Sequence, residues 1–190
     1  MNRSLPILVL VLAALGCSPA TAPPTVVPSI PLVDAHGATL DTRQLAAGAR
    51  FTVLVFFSPE CHCLKLHDAR LRDLYAAYST RGVQIVMVDS EKRGTPDADA
   101  AEATRRGYPF PIVLDRGAKL ADALGAQYAT YTVIVGAQGQ VLYRGGIDSD
   151  EMHLREDTKA YVKDALDDLL AGRQLRLAEA KTLGCSLEKW

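Results

Sequence analysis

The 190-residue chain lacks the charge excess that a polyanion would need: 21 Lys and Arg face 22 Asp and Glu, and the basic residues form no stripe. That excludes nucleic acid as a partner. No apolar run is long enough to cross a bilayer, since Leu5–Leu15 falls well short of the roughly 20 residues a spanning helix needs. Cysteine is scarce, at four residues, and no two cysteines are separated by two others, the spacing that sets thiols on one face of a helix. Internal repeats are absent, and the only low-complexity tract is short and rich in proline.

That tract follows the amino terminus. Met1–Cys17 combines a basic start at Arg3, the apolar run, and Ala14-Leu15-Gly16-Cys17. It resembles a bacterial lipoprotein signal, which implies removal of residues 1–16 and a lipid on Cys17. Ser18 stands where an aspartate would signal inner-membrane retention, so the resemblance implies an outer-membrane anchor facing the periplasm. Residues 17–28 then form a stiff Pro-rich tether, and residues 29–190 are long enough to build one cored domain. Loss of Arg3 with the signal takes the net charge from −1 to −2. With Cys17 lipidated, Cys61, Cys63 and Cys185 remain. An odd set in an exported protein implies a reactive or exchangeable thiol rather than a static disulfide framework.

Hydrophobic patterning supplies the element order. Phe51–Phe57 is a continuous β-branched and aromatic run that suits a strand buried on both faces. Leu64, Leu71, Leu74, Tyr75 and Tyr78 mark one following helix that ends near Gly82. Val83–Val88 is a second buried strand. Thr95 and Pro96 predict the cap and first residue of a helix running to Arg106 and stopped by Gly107. Pro109–Leu114 gives a short strand, Lys119–Leu124 a short helix, and Tyr131–Val135 with Gln140–Arg144 a hairpin. Val162, Ala165, Leu166, Leu169 and Leu170 define a last helix, capped by Gly172. The order predicts an α/β plan with a mixed central sheet flanked by helices, then a C-terminal helix and tail.

Chemistry concentrates where the first buried strand hands over to its helix, at Cys61-His62-Cys63. A helix start favours thiolate over thiol, so Cys61 is the expected nucleophile, and Lys65 one turn on would add to that bias. Leu64 stands where a second thiol of the usual spacing would be. If Cys61 is still in loop conformation, a tight Cys61–Cys63 disulfide can close; if both residues are helical they diverge, and Cys63 faces His67. Cys185, in the tail, is the other candidate to resolve an oxidised Cys61, its ordinary alternative being an apolar contact beside Leu187 and Trp190. His67 would orient or protonate a thiol, or contact a carboxylate such as Asp68. Cys61, Cys63 and His67 together also form a donor set suited to Cu(I) or zinc. His62, His36 and His153 read as solvated surface residues.

The order of elements, with thiols after the first buried strand, resembles the thioredoxin fold, and most closely its redoxin branch, the alkyl hydroperoxide reductase and thiol-specific antioxidant superfamily. The signatures are Phe57-Ser58-x-x-Cys61, Lys65-x-His67, Arg70-Leu71, Tyr108-Pro109-Phe110-Pro111, Gly125-Ala126, Tyr143-Arg144-Gly145-Gly146-Ile147-Asp148 and Gly184-Cys185-Ser186-Leu187. The resemblance implies a thiol–disulfide oxidoreductase or thiol-dependent peroxidase of the cell envelope that needs no cofactor. Cys61 would be its nucleophile, Cys63 or Cys185 its resolving thiol and Ser58 the hydroxyl ahead of the nucleophile. Its substrate would be a peroxide or a protein disulfide, and its reductant a thiol donor such as a thioredoxin-like protein. Two departures stand out. Leu54 replaces the proline of the peroxiredoxin motif, and Thr130-Tyr131 replaces the Thr-Pro step that usually faces the thiol. A cis bond without proline costs about 2.5–4 kcal/mol, so a trans bond and an altered substrate groove are expected there. A redoxin-fold scaffold without activity is the third expectation.

Overall fold

The computed structural model describes residues 25–190; the expected signal sequence, Cys17 and the first part of the expected tether lie outside them. Its strands are β1 (Pro31–Val33), β2 (Thr39–Asp41), β3 (Phe51–Phe57), β4 (Val83–Asp89), β5 (Ile112–Leu114), β6 (Thr132–Gly136) and β7 (Val141–Gly145). They form one mixed sheet in the order β2-β1-β5-β4-β3-β6-β7. All seven residues of β3 are buried, as its unbroken apolar run requires of a strand covered on both faces. It pairs in parallel with β4, from Phe51 opposite Val83 to Phe57 opposite Asp89, and antiparallel with β6. Because β3 and β4 end side by side, the residues after Phe57 and after Asp89 emerge at the same sheet edge.

The helices are α1 (Thr42–Ala47), α2 (His62–Leu66), α3 (Asp68–Tyr78), α4 (Pro96–Arg106), α5 (Lys119–Leu124) and α6 (Tyr161–Leu170). α4 has the expected boundaries: the Thr95 hydroxyl accepts from the Ala98 N–H, Pro96 is the first helical residue, and Gly107 ends it in the left-handed region. The long helix expected after β3 is instead two. The chain breaks at His67, whose backbone (φ −86°, ψ −4°) ends α2 and starts α3. The hairpin strands sit one residue later than the alternation suggested. β1, β2 and α1 were not anticipated, being too short to show a period. No helix among the described residues is long and apolar enough to cross a membrane.

After α6 the tail turns back across the sheet. The Arg144 N–H donates to the Ala178 carbonyl and the Ala180 N–H to the Arg144 carbonyl, covering the outer edge of β7. Further on, the Ala129 N–H donates to the Cys185 carbonyl (2.9 Å), the Leu187 N–H to the Gln127 carbonyl (2.9 Å), and the Lys92 N–H to the Glu188 carbonyl (2.9 Å). The Thr130 hydroxyl donates to the Leu183 carbonyl. Leu187 is buried by this docking, whereas Trp190 stays largely exposed. Gly184 permits the approach, since a Cβ there would lie 2.1 Å from the Ala129 carbonyl oxygen and 2.8 Å from Thr130 Oγ1. Gly184→Ala should therefore lift the tail, costing about 1–3 kcal/mol as overpacking. Limited proteolysis would read this as faster cleavage around residues 183–190 with the rest of the domain intact.

Candidate active site

Cys61 occupies the N-cap of α2 with an extended backbone (φ −71°, ψ 108°), and its sulfur accepts from the Leu64 N–H at 3.4 Å. A helix start with a free N–H aimed at sulfur stabilises negative charge there. Lys65, expected to help, is exposed and meets Cys61 through its backbone, its N–H donating to the Cys61 carbonyl at 3.2 Å.

The partner of Cys61 is Cys185. The two form a disulfide across a Cα separation of 5.6 Å, within the ordinary range. Although Cys61 is outside the helix, the alternative bond to Cys63 does not form. Cys63 is free and buried in the first turn of α2. Its sulfur lies 4.0 Å from the Cys185 sulfur and 3.1 Å from Met152 Sδ. Burial, and secondarily the negative charge of Glu151, push the Cys63 thiol above its ordinary pKa. All three sulfurs fall within 4.8 Å of one another.

A cleft of about 530 Å³ opens at this disulfide. Ser58, Cys61 and Cys185 line it, Cys63 does not, and Asp99, Glu91 and Glu188 give it an acidic wall. Burial, then the charge of Asp89, raises the Asp99 carboxyl to about 8. Burial likewise raises Asp89, so both carboxyls of this pair are shifted towards their protonated forms. The turn from β3 into α2 is braced by Arg106, which donates to the Pro59 carbonyl at 3.1 Å, lies over the Phe57 ring, and pairs with Asp68 and Glu102.

His67 faces away from the sulfurs. Its Nδ1 bonds the Cys63 carbonyl at 2.7 Å and its Nε2 bonds Asp148 Oδ1 at 3.0 Å. Both partners are acceptors, so both ring nitrogens donate and the ring is an imidazolium. The carboxylate it meets is Asp148, with Asp68 turned to Arg106 and Tyr108 instead. Both ring nitrogens are engaged here, and the sulfur grouped with Cys61 and Cys63 is that of Cys185. Asp148 also accepts from Arg70, which binds Asp150 as well and so ties down the loop carrying Met152. His62, His36 and His153 are exposed, as expected.

Opposite the thiols, the Thr130–Tyr131 step is trans, like every peptide bond among the described residues. Thr130 holds a left-handed backbone (φ 81°) and donates its N–H to the Phe56 carbonyl. The groove usually shaped by a proline is thus altered in a specific way: the Leu183–Cys185 segment lies against this step and delivers the second sulfur. Sequence reasoning missed Arg106, Met152, Asp89 and Asp99 as site residues. Arg70 and Asp148 stood inside quoted motifs without a role.

Burial alone would lower the His67 pKa, but its bonds to Asp148 and to the Cys63 carbonyl outweigh that and raise it. A raised histidine pKa stabilises the fold fully below the unfolded value near 6.5, and the contribution is lost as pH rises through the higher folded value. Denaturant midpoints should accordingly fall from pH 6 towards pH 9 in the wild type. His67→Gln should flatten that dependence while costing about 1.5–3 kcal/mol at pH 6, the scale of a hydrogen bond to a charged group.

The pattern of the redoxin family matches residues 20–162. Thiol-disulfide oxidoreductase ResA of Halalkalibacterium halodurans is 27% identical over 119 residues, 61% of this chain and 65% of that protein, so the match spans just under two thirds of the relative's length. A hypothetical protein of Sinorhizobium meliloti 1021 has a similar crystal structure, with a TM-score of 0.80 at 21% identity over 90% of this chain and 96% of the other. The thioredoxin domain of a thiol-disulfide oxidoreductase from Bacteroides vulgatus superposes with a TM-score of 0.53 at 16% identity, over 66% of this chain and 89% of that one. Both likenesses are of fold, at sequence identities below 25%. By this match and this architecture, the chain belongs to the redoxin family and has a thioredoxin-like fold.

Proposed function

We propose that the domain is a thiol–disulfide oxidoreductase whose working pair is Cys61 and Cys185. The observation that carries this reading is a capped Cys61 sulfur joined to Cys185 at the floor of an open cleft. In the reduced protein, the Cys61 thiolate attacks a substrate disulfide and one substrate thiolate leaves. The Cys185 thiolate then attacks Cys61 in the mixed disulfide, releasing the second substrate thiol and closing Cys61–Cys185. Two electrons pass to the substrate, and a thiol donor such as a thioredoxin-like protein returns them. Hydrogen peroxide would reach the same end by way of a Cys61 sulfenic acid, with one water leaving as it forms and a second as Cys185 closes the disulfide; Ser58, beside Cys61 in the cleft, supports peroxide as a second substrate class. On the amino-terminal motif alone, the protein is lipid-anchored through Cys17 at the periplasmic face of the outer membrane, with residues 29–190 as the catalytic domain.

Cys61→Ser should abolish reduction of bis(2-hydroxyethyl) disulfide, and Cys185→Ser should instead accumulate a mixed disulfide at Cys61, seen by intact mass. Activity surviving in Cys61→Ser would refute the assignment. Equimolar hydrogen peroxide should oxidise the reduced protein to the same Cys61–Cys185 bond; an unmodified Cys61 removes the peroxide class.

The trio of sulfurs favours one other reading. Reduced Cys61, Cys63 and Cys185 with the Met152 thioether form a soft donor set for Cu(I). Under anaerobic titration the reduced domain should then retain one Cu(I) against a competing chelator, Cys63→Ser should lose it, and His67→Gln should keep it.

A further inference from the structure

A two-electron exchange site needs two sulfurs, and this one has three. We propose that the domain also isomerises protein disulfides, with Cys63 as an internal exchange thiol that frees Cys61 while the site as a whole stays oxidised. The inference rests on the oxidoreductase reading and deepens it, naming proteins with mispaired disulfides as the substrate class.

The placement of the sulfurs carries the argument. Cys63 Sγ sits 4.0 Å from Cys185 Sγ, the sulfur bonded to Cys61. Cys63 does not line the cleft, whereas both bonded cysteines do. Its sulfur instead faces Met152 Sδ. A thiol so placed is aimed at the site's own disulfide rather than at a substrate. Attack of the Cys63 thiolate on Cys185 forms a Cys63–Cys185 bond and breaks Cys61–Cys185. The electron pair leaves on Cys61, and the Cys63 proton passes to solvent. The leaving sulfur is the one that the Leu64 N–H and the helix start stabilise as an anion. The entering sulfur is the one whose burial disfavours the anion. Exchange is set up by this geometry: the entering sulfur lies 4.0 Å from Cys185, and the leaving sulfur is the one that accepts the Leu64 N–H.

The product is an oxidised protein with a thiolate at the cleft. Cys61 can then attack a mispaired substrate disulfide, releasing a substrate thiolate. In a two-sulfur site the second thiol would soon end this encounter by reducing the substrate. Here Cys185 is held in its bond to Cys63, so the mixed disulfide persists. The released thiolate attacks another disulfide of the same substrate, and a substrate thiolate finally displaces Cys61. No electrons are gained or lost, so no external reductant is needed.

The test uses the oxidised domain, shown by thiol titration to carry one free thiol, with scrambled ribonuclease and no reductant. Catalytic amounts should restore ribonuclease activity about tenfold faster than Cys63→Ser, in which Cys61 stays locked to Cys185. Brief iodoacetamide treatment of the oxidised wild type should place the label on Cys61. The pre-reduced Cys63→Ser protein should still reduce bis(2-hydroxyethyl) disulfide, showing that it is folded; Cys63→Ala serves if the serine variant is not. Label on Cys63 alone, with no ribonuclease recovery but intact reduction of the small disulfide, would overturn the isomerase inference and leave the oxidoreductase standing. Failure of the pre-reduced wild type to reduce the small disulfide would overturn the oxidoreductase reading itself.

Discussion

The backbone bond from the Ala129 N–H to the Cys185 carbonyl is the contact on which the site depends, because Cys61 and Cys185 are 124 residues apart in the chain. Closing a loop of that size costs about 4–5 kcal/mol of chain entropy, which the disulfide removes from the unfolded state. On the proposed oxidoreductase reading the site must survive the opening of its own disulfide, so that term cannot be what holds Cys185 in place when it is reduced. The tail is held instead by bonds that do not change with redox state: Cys185 to Ala129, Leu187 to Gln127, Glu188 to Lys92 and Leu183 to Thr130. Burial of Leu187 adds an apolar anchor beyond the cysteine. The second sulfur is thus presented to Cys61 by a docked strap, and the reduced site stays assembled.

A second clamp fixes the other side. His67 joins the Cys63 carbonyl to Asp148, and Asp148 and Asp150 share Arg70. These bonds connect the break between α2 and α3 to the segment after β7, and the Met152 loop is carried with them. The break in the helix and the Cys63 carbonyl thus meet at one residue, His67, whose ring bonds reach from α2 to Asp148.

What was legible in the sequence follows the range of the interactions. β3, β4 and α4 could be read because run length, caps and stop signals are local properties of Phe51–Phe57, Val83–Asp89 and Thr95–Gly107. The position of Cys61 at a helix start was legible for the same reason. The break at His67 was not, and the carboxylate that its ring meets is 81 residues away. Nor was the choice between Cys63 and Cys185. Both bonds were open from local geometry, and only the docking of the tail on Thr130, with no proline there, brings Cys185 to the nucleophile. Arg106 was read only as a helix end, because its bond to the Pro59 carbonyl crosses 47 residues.

Three cysteines lie among the described residues, and the Cys61–Cys185 bond leaves Cys63 as the thiol left over. A site with two sulfurs is either a disulfide or two thiols, and its nucleophile vanishes whenever it is oxidised. With three sulfurs in contact range, a thiol is present in both states. Cys63 is buried, off the cleft and biased towards the protonated form, which keeps it from reacting directly with what enters. Under the exchange proposed above, the same placement leaves it one step from turning Cys61 back into a thiolate. Protection of the third thiol and release of the first are then two consequences of a single packing choice, the burial of Cys63 behind Cys185.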